Sequence, residues 1–461
     1  MTLSYNGRMK VENLLSVSPL DGRYNEKILD LRDITSEFGL IKFRVIVEIK
    51  WFIHLSKQSK IKELPRLSIN EQTYLIDLIE NFSLKDAQRI KKIERKTNHD
   101  VKAVEYFLRE QFLQFGKLGK YSEFIHFACT SEDINNLSYA LMISEASKIS
   151  VQSAKEIDKK IKVLSRRFSK DSMVSRTHGQ SASPTTMGKE FSNVSHRVNK
   201  ILDEIKRNRM TGKINGAVGN YNAHHIAYPE INWEKVSKDF VKSLGLNFNS
   251  HTTQVEPKDD IALLLSKYAK LNNVLIDLSR DIWGYISLGY FKQKLKSGEV
   301  GSSTMPHKVN PIDFENAEGN FGMANAILNH ISNTVTISRW QRDLTDSTIM
   351  RNIGSGFGYL NVALSSLLKG LNKLEINKSK MSEDLDNSWE VLTEAIQTII
   401  RKNKIPNGYE LMKDLSRGKE ITKEDLIYFI NKIEIPKEDK NRLLQLSPRT
   451  YIGYAERLSK T

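Results

Sequence analysis

Apolar residues recur every three or four positions over long stretches of the chain, the spacing of one buried helix face. Met187, Phe191, Val194, Val198, Ile201 and Ile205 make the clearest such seam. Ala154, Ile157, Ile161, Leu164 and Phe168 repeat it before a break at Lys170 and Asp171, and Ile261, Leu265, Tyr268, Leu275, Leu278 and Ile282 continue it for many turns. No proline interrupts 259–296, so the pattern predicts one helix of about ten turns, longer than about 50 Å at the standard rise. A further stripe follows Pro311 with Phe314, Ala317, Phe321, Ala324, Ile327 and Leu328, and another runs from about 347 to 374. Strand signals are sparse, with short hairpin pieces expected only near 213–218 and 252–255.

The expected class is mainly α, in three helical regions: shorter helices over 1–128, a central long-helix bundle over 129–374, and a C-terminal region over 375–461 broken by Pro406 and Pro436. Helices that long with apolar stripes on more than one face are hard to cover within one chain, so the bundle is expected to be completed by oligomerisation.

Composition narrows the class. With 461 residues and 39% hydrophobic content the chain can bury a large core. A single cysteine, Cys129, excludes an internal disulfide framework, and no secretory signal is visible, so a reducing cytoplasm is the expected location. Every apolar run is broken by Lys, Asn or Glu well short of the roughly 18 residues a membrane span needs. The formal charge of +15, from 70 Lys and Arg against 55 Asp and Glu, is spread along the chain rather than clustered, and aromatics do not interleave with it. Nucleic-acid binding is therefore not expected, although a basic surface favours anionic small molecules.

Five segments combine polar groups in ways packing does not require. Residues 298–311 place Ser302, Ser303, His307, Lys308 and Asn310 between Gly298, Gly301, Pro306 and Pro311. That mixture of backbone freedom, hydroxyls and cations reads as a mobile catalytic loop. Thr130, Ser131, Glu132 and Asp133 form a capping box before a helix, and two hydroxyls at a helix N-terminus also cradle a carboxylate or phosphate. Asn98, His99 and Asp100 open another helix, with Asn98 as its expected cap and His99 in the first turn. His178 stands in the polar stretch Thr177-His178-Gly179-Gln180, expected as a loop at a helix end, where an imidazole is a proton donor or simply a solvated side chain. Finally, 339–351 brings Arg339, Arg342 and Arg351 to a hydroxyl-rich helix start, suited to phosphate or to salt bridges with Asp343 and Asp346. No metal site and no dinucleotide fingerprint appears, and no cofactor is expected.

Together these segments resemble the fumarase/aspartase superfamily of lyases. The strings NHDVKAVEYF, FACTSEDINN, KINGAVGNYN and RWQRDLTDSTIMR, with His307 in the loop, are similar to its bacterial purine-biosynthesis branch, the adenylosuccinate lyases. The resemblance spans about 17–454, with Ser181 standing where the family pattern expects proline. It implies elimination of fumarate from adenylosuccinate, giving AMP, and from the succinyl-carboxamide imidazole nucleotide SAICAR, giving AICAR, without metal or cofactor. It further implies Ser302 as base, His178 as acid and His99 as an assisting group. Thr130, Ser131, Ser303, Lys308 and Asn310 become the succinyl carboxylate cradle, and Arg23, Tyr24, Arg342, Ser347 and Arg351 the phosphate and ribose contacts, with Thr348 a further substrate contact. Asn98, Asp100, Gln254 and Asn316 become further substrate contacts. A homotetramer with active sites assembled from three subunits is implied as well; argininosuccinate lyase is the alternative within the superfamily.

Overall fold

The computed structural model describes residues 14–294, 305, 308–416 and 421–460. The main helices are α1 (Glu37–Leu55), α2 (Leu84–Thr97), α3 (Asp100–Leu113), α4 (Ser131–Arg167), α5 (Met187–Arg207), α6 (Asp259–Ser287), α7 (Ile312–Thr334), α8 (Thr345–Met350) and α9 (Ile353–Asn372). At 37 residues, α4 is about 55 Å long. The mainly α class holds. Chain contacts divide the molecule into two compact units, the first formed by residues 1–154, 201–273 and 319–365, the second by 155–200, 274–318 and 366–461.

In the first unit α1 is buried almost all round, with Leu40, Ile41, Val45, Ile49, Trp51 and Phe52 each below a tenth exposed. Phe52 meets Phe112 of α3 edge-on at 4.8 Å. Burying each such side chain contributes about 1.5–3 kcal/mol, so α1 anchors the core of this unit.

The predicted seams are buried: Ala154, Ile157, Ile161, Leu164 and Phe168 on and after α4, and Ile261, Leu265, Tyr268, Leu275, Leu278 and Ile282 on α6. On α5 Leu202 is buried where Ile201 was expected. The helix predicted over 259–296 stops at Ser287. Gly289 takes φ 75 and the Tyr290 amide donates to the Tyr285 carbonyl at 2.8 Å, a glycine-terminated helix end. The stripe over 347–374 divides into α8 and α9, where Asn352 donates its side-chain amide to the Thr348 carbonyl.

The hairpin pieces expected near 213–218 and 252–255 are irregular loops. Their neighbours Thr211–Gly212 (β3) and Asn247–Phe248 (β4) form a two-residue parallel pair. The substantial hairpin lies elsewhere, in the second unit: β1 (Ser172–Thr177) pairs antiparallel with β2 (Gln180–Thr186). Phe291–Gln293 (β5) pairs with Leu374–Ile376 (β6), and the Lys294 amide extends that pairing to the Lys373 carbonyl at 2.8 Å. A separate apolar cluster from Val391 to Leu443 holds the C-terminal helices together.

Candidate active site

The start of α4 is fixed by one buried carboxylate. Asp133, fully buried, accepts from the Thr130 amide at 2.8 Å, the Asn215 amide at 2.9 Å and the Gly216 amide at 3.1 Å. It also pairs with the equally buried Lys213 ammonium at 2.9 Å. Asn136, one turn along, closes the lock by accepting from the Lys213 amide at 2.9 Å and donating to its carbonyl at 3.1 Å. The 213–222 loop is thereby tied to the helix N-terminus, and Thr130 and Ser131 are held at its mouth. Among the described residues their hydroxyls accept and donate no hydrogen bond, which leaves them, with the positive end of the helix, available to an anion. Before them, His126 pairs with buried Glu48 at 2.7 Å; burial opposes its protonation, but Glu48 prevails and holds the His126 pKa above the usual value.

Two arginines lie beside this mouth in the same unit. The Arg342 guanidinium donates to both oxygens of Asp346 at 2.9 and 3.0 Å and stands 3.5 Å from Glu132. Arg351 donates to Asp100 at 3.1 Å, an oxygen that also takes the Arg44 guanidinium at 2.7 Å. Burial alone would raise the Asp100 pKa; Arg44 first and Arg351 after it hold the carboxyl below its ordinary value. Arg44 reaches α4 as well, donating to Asn135 at 2.8 Å. Gln254 donates its side-chain amide to the Ala217 carbonyl at 3.0 Å and its backbone amide to Gln341 at 3.3 Å. Beside Arg351 opens a cleft of about 290 Å³ whose walls include Ser36, Glu37, Tyr139 and Met350.

Asn98 is not the cap of α3. It ends α2 in the left-handed region with φ 53, a conformation asparagine tolerates, and His99 caps α3 by accepting the Lys102 amide on Nδ1 at 3.1 Å. A neutral ring then carries its proton on Nε2, leaving His99 as a donor from that nitrogen. Arg23 and Tyr24 sit in a turned segment in which the Tyr24 amide donates to the Pro19 carbonyl, and Ser347 and Thr348 lie on α8.

In the second unit His178 occupies the tip of the β1–β2 hairpin rather than a plain loop. His178 and Gly179 take φ 52 and 76 between the paired Thr177 and Gln180, the two left-handed central residues of a tight hairpin turn. Ser181, next to that turn, accepts from Arg176 at 3.0 Å. Lys308 and Asn310 precede α7, and Asn316 on α7 accepts from Ser366 at 2.7 Å. Lys373 pairs with Asp313 at 3.0 Å. Ser302, Ser303 and His307 lie outside the described residues.

The contacts thus join Asp100 to Arg351, the Thr130–Ser131 start to Arg342 through Glu132, and Gln254 to the 339–351 segment. Arg44, Lys213 and Lys258, all buried, escape a reading by periodicity. The available signal for Arg44 was a charge three and four residues from the apolar Ile41 and Leu40 on the same helix face, since such residues are almost never fully buried unless paired. Among the described residues no group of three or more His, Cys, Asp or Glu could hold a metal, and no helix is long and apolar enough to cross a membrane.

Comparison with known proteins agrees along the chain. The family described as Lyase matches residues 22–326, and Adenylosuccinate lyase C-terminal matches 338–452. Adenylosuccinate lyase of Haemophilus influenzae is 51% identical over 451 residues, covering 98% of this chain and 99% of the relative. That of Escherichia coli K12 is 51% identical, covering 97% and 98%. Among solved structures, a fumarate lyase from Mesorhizobium sp. BNC1 shares the fold with a TM-score of 0.74 at 18% identity, covering 93% of this chain and 96% of its own. The 3-carboxy-cis,cis-muconate lactonizing enzyme of Pseudomonas putida gives 0.72 at 17%, covering 93% and 95%. By sequence along nearly its whole length, this chain belongs to the adenylosuccinate lyase family of carbon–nitrogen lyases.

Proposed function

We propose that the chain eliminates fumarate from adenylosuccinate to leave AMP, and by the same chemistry from SAICAR to leave AICAR. The observation that carries this is the near full-length likeness to adenylosuccinate lyases. Elimination needs a base for the proton on the carbon next to a carboxylate, stabilisation of the charge that spreads into that carboxylate, and an acid for the departing nitrogen. Ser302 takes the proton, its alkoxide favoured by loop amides and Lys308 in a water-poor site. His178 protonates the leaving nitrogen, and His99, with a proton free on Nε2, assists at the leaving side.

The succinyl carboxylates rest on Thr130, Ser131, Ser303, Lys308 and Asn310. Arg23, Tyr24, Arg342, Ser347 and Arg351 take the phosphate and ribose, and Asn98, Asp100, Gln254, Asn316 and Thr348 complete the contacts. The uncommitted hydroxyls at the start of α4 and the neighbouring guanidinium groups support this division, since both suit anions. The three sequence regions, 1–128, 129–374 and 375–461, serve as its domains.

The working form is a cytoplasmic homotetramer with active sites shared among three subunits. Leu263 and Trp283 on α6 and Met323 on α7 are each about half exposed, and large apolar side chains left open on long helices favour burial against further copies. The test of the roles is kinetic. Ser302→Ala and His178→Ala are expected to keep the melting temperature and lower kcat on adenylosuccinate by about 10²–10⁴-fold; near-normal turnover in either removes that residue from the mechanism.

A further inference from the structure

Lys258 is a buried lysine with a strained backbone and no part in the roles above. It is 3% exposed, sits immediately before α6, and takes φ 65, a conformation that disfavours any residue with a Cβ and that persists where surroundings hold it. What holds it is charge. Its ammonium donates to Glu132 at 2.9 Å and to Asp346 at 2.7 Å, and its backbone amide donates to Glu256 at 2.7 Å. Glu132 and Asp346 are the two carboxylates that also face Arg342. Two cations therefore share two anions, and the four groups together are neutral.

The neighbouring arrangement differs. Arg44 and Arg351 share the single carboxylate of Asp100 and carry a net positive charge. Glu132, Asn135 and Tyr139 recur at three and four residues on one face of α4, and Arg44, Arg351, Glu132 and Asp100 all act on the Tyr139 hydroxyl. Both clusters therefore lie along one strip of the helix. Without Lys258, the Glu132–Asp346 pair would outweigh Arg342, leaving a net negative charge where a phosphate is to be received.

We propose that Lys258 is a positioning residue for the substrate's phosphate: by neutralising Glu132 and Asp346, it leaves the Arg342 guanidinium to act as a cation toward that group. This rests on the assignment of Arg342 as a phosphate contact. An unneutralised carboxylate within several ångströms of a dianion repels it strongly at protein dielectric values, so the effect falls on binding of phosphate-bearing molecules and not on the chemical step.

The test compares Lys258→Met, Glu132→Gln, the double variant and Arg342→Ala by steady-state kinetics on adenylosuccinate, with inhibition by AMP and by fumarate. In Lys258→Met, KM for adenylosuccinate and the inhibition constant for AMP are expected to rise about tenfold or more. The values for kcat and for fumarate should stay within about threefold, whereas general structural damage would lower kcat and spare the split. The double variant restores neutrality and is expected to return both values to within about threefold of the unaltered protein, and Glu132→Gln alone to leave them equal or lower. Equal weakening of AMP and fumarate, an unmoved KM in Lys258→Met, or a double variant no better than the single would overturn the proposal. If Lys258→Met does not fold, a raised KM in the double variant or in Glu132→Gln overturns it. Should Arg342→Ala leave KM unmoved, the phosphate assignment falls and this proposal with it; a raised KM there with none in Lys258→Met removes Lys258 alone.

Discussion

Acid sensitivity should be concentrated at His224. The ring is fully buried among Trp51, Tyr221 and Trp233, with centroids 6.5, 5.5 and 4.9 Å away, and among the described residues neither nitrogen has a hydrogen-bond partner. Burial is the main force lowering its pKa from 6.5 to about 4; Asp133 opposes it and Lys213 adds to it. A histidine whose folded pKa is depressed contributes stability that is complete above its unfolded pKa and lost as pH falls from there through the folded value. At pH 5 the unfolded ring lies about 1.5 units below its pKa, so the folded state has lost about 2 kcal/mol relative to neutral pH, and about 3 kcal/mol by pH 4. His224→Phe keeps an aromatic ring in the cage and removes the titration. Urea unfolding at pH 7, 6 and 5, followed by tryptophan fluorescence, should show the unaltered protein losing about 2 kcal/mol more than the variant between pH 7 and 5. A constant offset reflects repacking only. Parallel pH dependences would refute the reasoning.

The lock at the start of α4 should be costly to break from one side: Lys213→Met leaves the buried Asp133 with its amide donors but without its counter-charge and is expected to cost about 3–5 kcal/mol in urea unfolding. Gly219 takes φ 79, and a Cβ there would collide with the Thr252 carbonyl, so Gly219→Ala should lower the melting temperature by several degrees. Gly179, at φ 76, faces open space. Gly179→Ala should therefore cost only about 1 kcal/mol in stability, while lowering kcat more than it alters KM, because the turn that presents His178 is re-formed.

The helical architecture was legible because burial and periodicity coincide. The seams on α4, α5 and α6 lie in the core with little adjustment, as an amphipathic stripe requires. The overshoot past Ser287 came from treating only proline as a stop, when Gly289 in the left-handed region ends the helix equally well. The β1–β2 hairpin was missed because its strands are rich in Ser and Thr, with an irregular burial pattern and a register shift between Met173 and Ser175, so no apolar alternation announces it. Candidate site residues stood out as motif strings, yet the polar lock behind them did not. Asp133 accepts from the Asn215 amide across 82 residues of chain and Lys258 pairs with Glu132 across 126, and such long-range polar contacts leave no periodic trace. His99 took the cap expected of Asn98 because both stand in one short junction, where the left-handed Asn98 closes α2 before α3 begins.

The most direct measurement is the product balance when the purified protein is incubated with adenylosuccinate, with argininosuccinate as the comparison. The expected result is fumarate and AMP appearing in equal amounts from adenylosuccinate and no fumarate from argininosuccinate. Fumarate from argininosuccinate alone, or from neither, would contradict the account.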